Sequence, residues 1–208
     1  MAGFQYAFHF DSSACSGCKT CQLACKDKNN LPQGSFWRRV YEISGGGWRK
    51  EGEAWIPEIA AYNLSIACQH CQDAPCIKGC PSGALFKRDD GIVILDKGKC
   101  LGCRYCEWTC PYGAPQFDAR AGIVTKCDFC LDLIEKGERP ACVTACPMRA
   151  LDFGELEDLK ARLGGTSSVF PLPPESQASP ALLIKPHPSA TRAMAFGAAT
   201  ANREEVSR

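Results

Sequence analysis

Cysteine is the residue type in this chain whose number and spacing point to chemistry. All 16 cysteines fall into four runs: Cys15-x2-Cys18-x2-Cys21-x3-Cys25, Cys68-x2-Cys71-x4-Cys76-x3-Cys80-Pro81, Cys100-x2-Cys103-x2-Cys106-x3-Cys110-Pro111 and Cys127-x2-Cys130-x11-Cys142-x3-Cys146-Pro147. A Cys-x2-Cys-x2-Cys loop turns three thiolates onto one iron–sulfur cubane, and a fourth cysteine three residues on ligates a neighbouring cubane. At four thiolates per cubane, this ligand set holds four [4Fe–4S] clusters. The chemistry to expect is reversible one-electron transfer.

Other uses of these thiols fit less well. Disulfides suit a secreted scaffold, but cysteines so close in sequence pair poorly, and no charged-then-apolar leader with a small-residue cleavage site opens the chain. Zinc sites use separate Cys-x2-Cys pairs, whereas three such steps in a row ending in Cys-Pro are the ferredoxin form. His70 lies inside the second run and reads as a packing or hydrogen-bonding residue, while His9 and His187 have no ligand spacing. No Gly-rich phosphate loop, nucleophile elbow or Gly-x-Gly-x-x-Gly follows a strand, so catalysis is expected on another polypeptide. Arg38-Arg39 stand mid-chain and are no export signal. The longest apolar stretches, around Ile92–Leu95 and Ala181–Ile184, are far too short to span a membrane. The expectation is a soluble chain folded in a reducing compartment, with no signal peptide or membrane helix of its own.

The formal net charge is +1. Each oxidised cubane with its four thiolates adds two negative charges, which moves the total to about −7. Lys19, Lys26, Arg104, Lys126 and Arg149 lie within or beside the runs. They either offset that charge and raise reduction potentials or are simply solvated. No basic stripe is interleaved with aromatics, so nucleic acid is not an expected partner.

The elements that must position the thiols are short. Residues 4–10 alternate as a strand leading into the first run, and Ala24–Asn30 reads as a helix stopped by Asn29-Asn30 and Pro32. Phe36–Ser44 and Trp55–Ala67 read as strands around a Gly45-Gly46-Gly47 turn or loop. Ser82–Lys87 and Gly91–Asp96 make a hairpin with Asp89-Asp90-Gly91 at its turn, and Gly122–Lys126 is a shorter counterpart. Leu131–Gly137 and Leu156–Leu163 read as helices. Beyond Gly164-Gly165 the chain is rich in Pro, Ser and Ala, a composition that builds no core alone and suits a flexible or partner-bound tail. Run three repeats the spacing of run one, and runs two and four are stretched variants. Two runs make one two-cluster module, and spacing alone allows either adjacent pairing (one with two, three with four) or nested pairing (one with four, two with three). Gly17, Gly102 and Gly113 read as places where backbone approaches a cluster without a Cβ in the way.

Four segments carry a family resemblance: DSSACSGCKTCQLACKD (11–27), CPSGA (80–84), CLGCRYCEWTCPYGAPQF (100–117) and RALDFG (149–154). With Trp48, Tyr112 and Gln116, they resemble the iron–sulfur subunits of bacterial dimethyl sulfoxide reductases, over about residues 4 to 188. The resemblance implies an α+β fold of two nested bacterial-ferredoxin-like modules with two [4Fe–4S] clusters each. Residues 1–60 with 121–163 would form a discontinuous module, 61–120 an inserted one, and 164–208 an extended Pro-rich tail packed on a partner. It also implies the ligand sets. Cys15, Cys18, Cys21 and Cys146 would hold the cluster nearest the catalytic subunit, and Cys25, Cys127, Cys130 and Cys142 the second. Cys68, Cys71, Cys76 and Cys110 would hold the third, and Cys80, Cys100, Cys103 and Cys106 the one nearest the membrane.

The implied partners are a molybdopterin catalytic subunit and a quinol-oxidising integral membrane anchor, in a complex held at the membrane, with the periplasmic face favoured. In related nitrate reductase subunits a Trp replaces the cysteine matching Cys103 and leaves a three-iron cluster, so Cys103 implies four cubanes here. Related formate dehydrogenase subunits add a C-terminal membrane helix that this chain lacks. Iron–sulfur subunits of selenate, tetrathionate, polysulfide or nitrate reductases or of formate dehydrogenase, and a free multi-cluster ferredoxin, are the alternatives.

Overall fold

Residues Tyr6–Asp11 make β1, the middle strand of its sheet, with Phe8 and Phe10 in the main core on one face and Ala7 packed with Leu159 on the other. On one side it pairs antiparallel with β8 (Leu151–Glu155), Phe8 opposite Phe153. On the other it pairs in parallel with β9 (Leu182–Lys185), Phe8 opposite Leu182. The computed structural model describes residues 4–206.

The second sheet is a long hairpin. Strand β2 (Arg39–Glu51) pairs antiparallel with β3 (Ala54–Ile66), and β10 (Ala199–Thr200) adds to the outer edge of β2. The expected turn at Gly45-Gly46-Gly47 is not there. Those glycines lie within β2, and the chain reverses at Gly52, after the closing pair Glu51 and Ala54. Their small size serves close approach instead. A Cβ on Gly45 would run into the Ala198 backbone, and one on Gly46 into the Glu58 carbonyl. The distal half of the hairpin leaves Trp48, Trp55 and Ile59 exposed.

The two short hairpins occur where the turn chemistry places them. Strands β4 (Leu85–Lys87) and β5 (Val93–Leu95) flank a turn in which Asp90 Oδ1 accepts from Ile92 N–H at 3.1 Å and Gly91 has φ +79°. Strands β6 (Gln116–Asp118) and β7 (Ile123–Thr125) form the counterpart before Cys127.

Seven α-helices are described: α1 (Thr20–Lys28), α2 (Pro75–Lys78), α3 (Tyr105–Thr109), α4 (Leu131–Ile134), α5 (Ala141–Thr144), α6 (Leu156–Leu163) and α7 (Arg203–Val206). Helix α1 begins four residues before the expected Ala24, because its first turn grows directly out of the ligand loop at Lys19. Helix α4 is one turn rather than the expected Leu131–Gly137, and Gly137 closes it at φ +75°. Helix α6 occurs as expected and buries Leu159 against Ala7, Ala181 and Leu183. Helix α1 packs on α5, and α2 packs on α3.

Two expectations need correction. The segment after residue 164 packs on its own chain. Leu182–Ile184 are buried in the first sheet, Tyr62 donates its hydroxyl to the Phe170 carbonyl at 2.5 Å, and Ala193, Ala198 and Val206 are buried. Its few apolar residues are clustered at strand spacing, and β1 offers an open edge for them, so a core built elsewhere accepts what the tail could not build alone. Second, the expected module boundary at 60/61 falls inside β3, which runs unbroken to Ile66.

Candidate metal centres

The four cysteine runs share one backbone device. In the first Cys-x-x-Cys step of each run the third residue has positive φ: Gly17 at +73°, His70 at +43°, Gly102 at +67° and Phe129 at +66°. That conformation reverses the chain so that both thiols face the same side, and it suits glycine best. His70 and Phe129 tolerate it because they are buried against one another, ring centroids 5.1 Å apart, with His70 Nδ1 accepting from Val93 N–H at 3.0 Å. His70 thus packs and hydrogen-bonds, as its sequence context suggested. The three glycines also stand against other segments of the chain. A Cβ on Gly17 would meet Asn63 Oδ1 at 2.7 Å, and one on Gly102 the Gly122 carbonyl, while Gly113 faces Arg39 in ordinary contact. These glycines permit chain-to-chain contact.

Two hollows are ringed by thiols. Cys15, Cys18, Cys21 and Cys146 line one, closed by Phe10, Val40 and Leu151. Cys68, Cys71, Cys76 and Cys110 line another, closed by Val93, Tyr112 and Pro75. The remaining thiols are related by their electrostatic reach. Burial pushes Cys25 up to about 12, and the nearby Cys142 and Cys130 thiols add to it. Burial holds Cys127 far above the ordinary thiol value, helped by Cys25, Cys68 and Cys130. Cys106 is raised to about 11, first by burial and then, among the thiols, by Cys100 and Cys80. Cys103 sits on the same loop and is exposed, as is its counterpart Cys18 in the first run.

Some of this reach crosses from one set to another. Cys21 of the first hollow feels Cys142, Cys127 feels Cys68 of the second hollow, and Cys76 feels Cys106.

Several N–H groups point at sulfur, as thiolate ligands require: Ala150 N–H to Cys146 Sγ at 3.3 Å, Phe129 N–H to Cys127 Sγ at 3.4 Å and Ala114 N–H to Cys110 Sγ at 3.5 Å. Among the described residues, no three His, Cys, Asp or Glu side chains gather closely enough for one metal ion. A tetrahedral zinc would hold its sulfurs at about 2.3 Å. The quartets of thiols lining these hollows, the N–H donors and the ferredoxin spacing of the loops fit a cubane.

The basic residues divide. Lys126 is buried, its ammonium on the Val93 and Cys127 carbonyls, and it eases deprotonation of Cys76. Lys19 is drawn off to Glu42 and Glu205, Lys26 to the Leu31, Pro32 and Ser35 carbonyls, and Arg104 to Glu107. Sequence reasoning missed Arg38 and Arg39, having weighed them only as an export signal. Arg38 is buried and Arg39 donates to the Tyr112 and Gly113 carbonyls at 2.9 Å, tying the third run to β2. The available signal was a pair of arginines opening a strand otherwise alternating in apolar residues. Gln116 clamps the 35–36 turn, accepting from Ser35 and Phe36 and donating to the Phe36 carbonyl.

Residues 59–156 match the family model described as a 4Fe-4S dicluster domain. The B subunit of the anaerobic dimethyl sulfoxide reductase of Escherichia coli K12 is 49% identical over 183 residues, 88% of this chain and 89% of its own. Its namesake in Haemophilus influenzae Rd is 48% identical over 184 residues, covering 88% and 90%. The thiosulfate reductase electron transfer subunit PhsB of Salmonella typhi is 38% identical over 161 residues, covering 74% and 78%. With ligand loops of this form and such identity along most of its length, this protein belongs to the family of iron–sulfur subunits of anaerobic dimethyl sulfoxide reductases.

Proposed function

We propose that the chain is the non-catalytic electron-transfer subunit of a dimethyl sulfoxide reductase complex. It would relay electrons from a quinol-oxidising membrane anchor to a molybdopterin catalytic subunit. The observation that carries this is the 49% identity along 88% of the chain with the B subunit of an anaerobic dimethyl sulfoxide reductase, together with four cysteine loops that share one backbone device.

Four quartets would hold four [4Fe–4S] clusters: Cys15, Cys18, Cys21 and Cys146; Cys25, Cys127, Cys130 and Cys142; Cys68, Cys71, Cys76 and Cys110; and Cys80, Cys100, Cys103 and Cys106. Each cluster, when bound, supplies a site that accepts and returns one electron. The protein's own residues do the rest. Buried thiols that resist deprotonation make cluster assembly release protons, and the apolar walls exclude water from the charge. Nested pairing is supported by α1 on α5 and α2 on α3, which join runs one and four and runs two and three. On this reading residues 67–120 form an inserted module.

The two exposed ligands, Cys18 and Cys103, stand at opposite ends of the series. Leu101, Tyr105 and Trp108 are exposed beside Cys103, and Leu23 and Met148 are exposed on the segments that carry the first quartet. Such apolar surface at a cluster's edge suits a partner subunit at each end. No helix among the described residues is long and apolar enough to cross a membrane, so the span would come from the anchor.

The test is Cys103→Ser in the intact complex. One four-iron paramagnetic signal should give way to a three-iron signal while the other three persist, and electron supply from quinol should stop. A spectrum identical to that of the unsubstituted complex rejects the assignment.

A further inference from the structure

Arg38 has the largest side chain among the fully buried described residues, at 2% exposure. Its Nη1 donates to the Ser65 carbonyl at 3.1 Å and to Ser65 Oγ at 3.2 Å, and Ser65 Oγ lies 3.2 Å from Cys21 Sγ. The guanidinium stacks 4.7 Å from the centre of the Phe8 ring. Its Nε and Nη2 are buried with no hydrogen-bond partner, and no carboxylate among the described residues pairs with it.

A buried, uncompensated cation costs several kcal/mol, and an arginine cannot escape by losing its proton. Something negative must therefore face those two N–H groups. The groups in electrostatic reach that become anionic on ligating a cluster are the thiols of Cys142, Cys21, Cys127 and Cys25, all members of the first and second quartets. On the four-cluster reading, each oxidised cluster with its thiolates carries two negative charges, which is the compensation this site lacks.

We propose that Arg38 sets the reduction potentials of the clusters in the first two quartets, acting as a fixed cation lodged between them and, through Ser65, on the Cys21 sulfur. Reduction adds one electron and one negative charge to a cluster, and a fixed positive charge beside it favours that added charge. The guanidinium gains and loses no proton in the process, so the effect holds across physiological pH. The electron resting place is thereby biased toward the end of the series that carries Cys18. Arg38 is a positioning and tuning residue; no substrate touches it.

The experiment is a redox titration of the anaerobically purified complex, followed by electron paramagnetic resonance, for the unsubstituted chain, Arg38→Gln and Arg38→Lys. In Arg38→Gln, two midpoints should fall. At the potential that half-reduces the unsubstituted clusters, the reduced fraction should drop at least tenfold relative to the oxidised one, about 59 mV for a one-electron couple. The other two midpoints should stay, and Arg38→Lys should lie close to the unsubstituted complex. Unmoved midpoints, or an equal fall in all four, overturn the proposal. Should Arg38→Gln lose iron, Ser65→Ala decides. It keeps the bond from Arg38 to the Ser65 carbonyl and removes the hydroxyl at Cys21, so one midpoint should fall and no shift overturns the proposal. Fewer than four clusters in the unsubstituted complex overturns the four-cluster reading as well, whereas four clusters with unmoved midpoints overturns this inference alone.

Discussion

A positive φ at the third position of the step that opens every cysteine run is filled twice by glycine and twice by large side chains, so the four loops differ in how they tolerate change. Gly102→Ala is expected to cost about 1–3 kcal/mol, because an alanine at φ +67° is strained and its Cβ meets the Gly122 carbonyl. Chemical denaturation of the two proteins checks it, and equal midpoints contradict it. His9 is buried in β1, and burial holds its imidazole below the ordinary value of 6.5 despite the nearby Asp11 and Asp152. The folded form therefore binds this proton less readily than the unfolded form. The contribution is whole above pH 6.5 and is lost as pH falls through 6.5 toward the folded value. Resonance titration should give His9 a midpoint below 6.5, and a midpoint at or above it removes the effect. At this scale the cysteines were legible because ligand spacing is local, and His70 was legible as a packing residue. Arg38 was not, because its meaning depends on Ser65 and four cysteines that only the fold brings near it.

Among the elements, the short helices carry the decisive pairing. Cys21 and Cys25 ride on α1 and Cys142 on α5, which pack together. If runs one and four share clusters, Cys146→Ser should disturb the cluster of Cys15, Cys18 and Cys21, and Cys80→Ser should leave it intact. Paramagnetic spectra of the two variants decide this, and the reverse pattern would favour adjacent pairing. Spacing could not choose between these, since both satisfy the same local geometry. The hairpins at Asp90-Gly91 and before Cys127 were legible from turn chemistry. The glycines of β2 misled because a glycine placed for close approach to Ala198 looks, in sequence, like a glycine placed for a turn. The tail misled for a related reason, since Leu182–Ile184 finds its partner in β1, far away in sequence. Ile184→Ala should therefore destabilise the protein by about 2–5 kcal/mol, as for a fully buried core residue. A loss under about 1 kcal/mol by denaturant titration would mean the tail is not integral.

Over the whole molecule, a near-neutral polypeptide becomes an anionic one once its thiols are engaged, and the fold arranges for that. Arg38 and Lys126 are buried among the interior thiols, while Cys18 and Cys103 stay exposed, at what the proposed relay makes its two ends. The family and the cluster type were legible at once from residue types and spacing. The proposed serial arrangement was not, because it depends on contacts between runs that lie far apart in sequence. The proposed electron relay depends on four cubanes in these sixteen thiols. Iron and acid-labile sulfide determination on anaerobically purified complex tests it most directly, with Mössbauer spectroscopy of the iron. About sixteen irons and sixteen sulfides per polypeptide, all in four-iron clusters, are expected. Zinc in their place, or far fewer irons with the thiols free or paired, would contradict the account.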